Sequence, residues 1–130
     1  MGYIEMKALL MSKAGEEYNR RIYSKGTIEK AFSEWMKSPS GGCITLRPDN
    51  KAAVEEKLTI DPIEVVGKVT DADFDKGQVS VLLDDTMLSK SDINEIRLGA
   101  HPIGLRYVGK VPTDKPPYSV ESMRIISFVV

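Results

Sequence analysis

The feature that most constrains this chain is one stretch with a strand-like run on either side of a turn. The runs are VVGKV (Val65 to Val69) and QVSVLL (Gln78 to Leu83), with the acidic DADFDKG (Asp71 to Gly77) between them. β-Branched residues flanking an Asp75-Lys76-Gly77 turn predict an antiparallel hairpin, with one strand near Ile63 to Thr70 and its partner beginning at Gln78. A lone hairpin is marginal in water and needs further strands or a helix against it.

The rest of the chain supplies both. Tyr3 to Ser12 alternates at first, with Ile4, Met6 and Ala8 on one face and Glu5 and Lys7 on the other. It reads as a strand that becomes buried on both sides at Leu9 to Met11. KAGEEYNRRIYSKG is polar and loop-like. TIEKAFSEWMKS then predicts a helix over Thr27 to Lys37, with Thr27 as N-cap and an apolar face of Ile28, Ala31, Phe32, Trp35 and Met36. Pro39 and Gly41-Gly42 stop it. Cys43 to Leu46 is a short strand, and RPDNKAAVEEK is ambiguous between loop and a helical turn. SKSD (Ser89 to Asp92) has the spacing of a capping box before a short helix carrying Ile93 and Ile96, which Gly99 terminates. PIGLRYVGKV and VESMRIISFVV are the last strands, joined by the proline-rich PTDKPPYS.

The order β–α–β–β–β–α–β–β, with sparse helices among short strands, predicts a single α+β domain over residues 1–130. Its expected form is a small, mostly antiparallel, closed or nearly closed β-barrel with a few flanking helices. The apolar ending IISFVV places the last strand either inside that barrel or against a neighbour, and so predicts self-association or docking.

The bulk properties narrow the function. The net charge is −1 over 130 residues, which gives no general attraction to nucleic acid or anionic membrane. No apolar run approaches the roughly 20 residues of a membrane span. MGYIEM has neither the basic start of a signal peptide nor Ser or Thr at position 6 for myristoylation, so a soluble cytosolic product is expected. One Cys and one His, far apart, cannot make the usual tetrahedral zinc set. Asp71, Asp73 and Asp75 have the spacing that opens a calcium loop, yet no Glu closes it, and a solvated acidic turn is the favoured alternative. Phosphate-binding loops are absent, and no cofactor or metal is expected.

Two constellations remain. His101 could serve as the base for Ser119, Ser122 or Ser127, although its place between Gly99 and Pro102 favours an exposed loop histidine. Arg106 lies inside a strand, where the plain alternative is an edge-strand arginine facing solvent over its apolar stem.

Taken in order, four segments resemble the tailed-phage prohead (capsid maturation) proteases. They are NRRIYSKGTIEKAF, IEVVGKVTDADFDKGQVSVLLDD, IRLGAHPIGLRYVGKV and ESMRIISFVV. The similarity spans roughly Ile4 to Val130 and implies the small barrel with flanking helices that these proteases share with the herpesvirus assemblins. It also implies phage capsid, connector or scaffold proteins as partners, with residence in the host cytoplasm during assembly or in the virion. The family places its serine nucleophile shortly after an Ile-Gly pair, where this chain has Arg106. It places its histidine base, often followed by proline, where this chain has Arg47-Pro48. A guanidinium stays protonated and is neither a general base nor a nucleophile. The resemblance thus implies a protease fold with vestigial site positions Arg47 and Arg106, in a non-catalytic head-assembly or structural protein. The alternatives are an active maturation protease using His101 and a downstream serine, or an unrelated small bacterial adaptor domain. Partners that touch in an active relative should keep Arg47 and Arg106 close, with Cα atoms within roughly 10 Å. Asp84 and Asp85 are conceivable acidic partners for Arg106.

Overall fold

The computed structural model describes residues 2–11, 13–16, 21–39, 41–46, 65–110 and 118–130. Its strands are β1 (Tyr3–Leu9), β2 (Arg21–Tyr23), β3 (Cys43–Thr45), β4 (Val65–Asp73), β5 (Gln78–Asp84), β6 (Gly104–Lys110), β7 (Tyr118–Val120) and β8 (Ser122–Val129); its helices are α1 (Lys25–Met36) and α2 (Lys90–Leu98). Among the described residues no helix is long and apolar enough to cross a membrane.

Six strands form one sheet in the order β1-β5-β4-β3-β8-β6, and β2 pairs with β7 in a separate ribbon. The expected hairpin is present as β4 and β5, antiparallel from Gly67↔Leu83 to Asp73↔Gln78, with a register shift between Val69 and Asp71. Gly77 closes the turn at φ 67°, a conformation that favours glycine. On the far side of β5, β1 pairs so that Ile4, Met6 and Ala8 lie opposite Leu83, Val81 and Val79. That match turns the alternation of β1 toward the core.

The sheet is mostly antiparallel, but β3 and β8 run parallel, with Ile44 beside Phe128. The sheet also curls without closing into a complete barrel. Its two edges meet at one parallel bridge, Leu10↔Ile103, where Met11 N–H donates to Ile103 O (2.9 Å) and Ile103 N–H donates to Leu9 O (2.8 Å). β1 ends at Leu9 and β6 begins at Gly104, so the two edges run past each other with almost no overlap to ladder.

Helix α1 packs on β8 through Ile28, Ala31 and Trp35, all buried, with Phe32 half-buried beside them and Met36 at the margin. It begins one turn earlier than the sequence predicts. Ser24 is the N-cap, its hydroxyl accepting from Thr27 N–H at 3.2 Å and donating to Thr27 Oγ1 at 2.9 Å. Lys25 Nζ also reaches the Asp75 carboxylate at 2.6 Å, tying the helix start to the hairpin turn. Helix α2 matches expectation closely: Ser89 Oγ accepts from Asp92 N–H, Ile93 and Ile96 are buried, and Gly99 ends it at φ 81°.

The β2–β7 ribbon falls in segments that read as loop, except for Val120, which opens the predicted last strand. Arg21↔Tyr118, Ile22↔Ser119 and Tyr23↔Val120 pair in parallel. Three residues are too few to show a period of their own, and the partners lie far apart in the chain.

Candidate functional site

The functional question centres on β6 and β8. From Ile125 to Val129 every residue of β8 is buried, and so is Val130 after it; β3 and β6 flank the strand within the sheet and α1 packs on one of its faces. The apolar ending therefore fills the sheet interior. Successive side chains on a strand point to opposite faces, so Phe128 and Ser127 look different ways.

On the Phe128 side lies an aromatic cluster. The Trp35 ring stacks on Phe128 with centroids 5.2 Å apart and planes inclined by 15°. Phe32 meets Phe128 at 6.2 Å and Phe74 at 5.5 Å, both edge-on. The indole N–H of Trp35 donates to Ile126 O at 3.1 Å, so its one polar atom is satisfied in a buried place.

On the other side three polar residues are buried. Ser127 is 0% and Thr45 1% exposed, and their hydroxyl oxygens lie 3.1 Å apart in a hydrogen bond across β3 and β8. Arg106 sits opposite Ser127 in the β6–β8 register, immediately before a register shift at Tyr107. It is 8% exposed, although β6 is a terminal strand of the sheet. The solvent-facing reading of Arg106 is thereby corrected: strand position alone would expose it, but its side chain is covered. Arg106 as a residue has an interaction partner. The guanidinium of Arg106 can neither take up a proton nor act as a nucleophile.

The remaining predicted positions are distributed as follows. Arg47 lies outside the described residues, two positions beyond Thr45 in the chain. Asp84 and Asp85 do not accompany Arg106. The Asp84 carboxylate accepts from Thr86 N–H and hydroxyl, which hold it below the usual carboxylate range, and Asp85 accepts from Gly2 N–H. Both stand at the far end of the sheet, where Asp84 pairs with Tyr3 of β1.

His101 follows α2, its backbone N–H donating to Glu95 O at 3.2 Å. It is half-buried and not an exposed loop residue, and its Nε2 is buried without a hydrogen-bond partner among the described residues. Ser119 and Ser122 are exposed, and the Ser127 hydroxyl is engaged by Thr45. The acidic turn is used locally. Asp73 Oδ1 accepts from the amides of Asp75 and Lys76, Asp71 Oδ1 accepts from Ala72 N–H, and Asp75 binds Lys25. Among the described residues no three His, Cys, Asp or Glu come together as a metal site. Cys43 neighbours Ile44 on β3, and burial pushes its thiol up to about 11.

The sequence reading missed the pairing of Thr45 with Ser127. The available signal was a small hydroxyl residue inside each of two otherwise apolar strands, CITL and IISFVV.

No model of a known protein family matches this chain, and no curated protein is similar to it in sequence. Among solved structures the fold is similar to that of the bacteriophage T4 capsid assembly protease, gp21, with a TM-score of 0.60. The match covers 98% of this chain and 82% of that one at 18% sequence identity. At that identity the likeness is one of fold. It bears out the prohead-protease-like α+β architecture, with the open seam between β1 and β6 as the departure from a closed barrel.

Proposed function

We propose that this chain is a non-catalytic phage or prophage head-assembly or structural protein built on the prohead-protease fold. Similarity of fold to a capsid assembly protease supports the setting. The observation that carries the loss of chemistry is Arg106, buried opposite Ser127 on the strand where the family resemblance puts a nucleophile. A permanently charged guanidinium has no lone pair to attack a carbonyl and accepts no proton. Arg47 is the second vestigial position in this proposal. It stands where the resemblance puts the base, two residues from a threonine whose hydroxyl bonds Ser127. Losing either member of such a pair removes orders of magnitude in rate.

In this role the protein works in the host cytoplasm during assembly or as part of the virion. It contacts capsid, connector or scaffold proteins and self-associates, without cofactor, nucleic acid or membrane. The test is incubation of the purified chain with the cognate scaffold and major capsid proteins, followed on denaturing gels. Intact bands are expected. Cleavage products that disappear when Ser127 is replaced by Ala would overturn the proposal in favour of an active protease. Light scattering over a concentration series reads the self-association separately, and a clean monomer would leave only docking on other head proteins.

A further inference from the structure

We draw no further inference here: the strongest candidate, the groove of about 330 Å³ between the first turns of α1 and the β7–β8 turn, floored by Ala31 and Met123 and rimmed by Lys30, Glu34 and Glu121, carries nothing because nothing in the structure shows what covers it.

Discussion

Ser127 and Phe128 are neighbours on β8, both are fully buried, and they face opposite sides of the sheet. The Phe128 side is an aromatic stack completed by α1, in which Trp35 adds both contact area and a satisfied indole N–H. The Ser127 side is polar, with a hydroxyl pair to Thr45 and a buried arginine across the strand. Apolar burial is non-directional and tolerates any good packing. A buried hydroxyl or guanidinium is tolerated only when its partners are in place. One side of the strand is therefore where stability concentrates. The other is where a polar arrangement is kept despite its desolvation penalty.

The widest gap between the two sides should come from Trp35→Ala. It removes the stacked ring and the indole hydrogen bond to Ile126 O, and about 3–5 kcal/mol of stability should be lost in urea unfolding. A near-neutral result would break the comparison at its aromatic end. On the polar side, Ser127→Ala or Thr45→Val should each lose about 1–3 kcal/mol by stranding a buried hydroxyl. The double variant should lose less than the sum of the two. Strict additivity would mean that the hydroxyls do not bond each other in solution.

Seating of the aromatic side depends on where α1 starts. Ser24→Ala should cost about 1 kcal/mol, and more than Thr27→Ala. The reverse order would return the cap to Thr27.

Cys43 gives a chemical readout beside both sides. The folded thiol is pushed up to about 11 from an ordinary 9.0 by burial, so alkylation rates should rise with a midpoint near 11 when folded and near 9 in urea. Between those values the folded chain keeps a proton that the unfolded chain has lost. Stability should therefore fall with rising pH across that window. Coincident folded and unfolded profiles would show the thiol to be freely solvated.

The smallest effect belongs to the Lys25–Asp75 tie at the solvent-exposed helix start. The Asp75 hydrogen bond and charge raise the Lys25 pKa, so its contribution is full below the unfolded value and lost as pH rises through the folded one. Lys25→Met should change the melting temperature slightly at low salt and not at high salt. A large, salt-independent loss would mean that the tie does more than a surface pair can.

Legibility followed the range of the interactions. In α2 the cap at Ser89, the buried Ile93 and Ile96 and the stop at Gly99 all lie within eleven residues, and each was readable. The β4–β5 hairpin was readable for the same reason, since its turn and both strands are adjacent in the chain. The start of α1 was harder. Ser24 and Thr27 are both good capping residues one turn apart, and the contact of Lys25 with the hairpin joins the earlier start to a distant element. Thr45 and Ser127 were each visible as a small polar residue in an apolar run, but nothing local says that residues 82 positions apart will touch.

Local sequence encodes α2 with its cap, the body of α1, the central hairpin, the core-facing alternation of β1 and an apolar last strand. Composition further set the near-neutral charge, and residue identity set the fixed cation at position 106. Tertiary pairing decided that β8 lies between β3 and β6, that β2 and β7 join as a parallel ribbon, and that, among the described residues, the sheet edges bridge at Leu10 and Ile103. The tertiary structure also decided that Arg106 is covered on a terminal strand. Side-chain period and capping are properties of a few consecutive residues. Strand neighbours and burial depend on which distant surfaces meet, and a single strand carries no record of its partner.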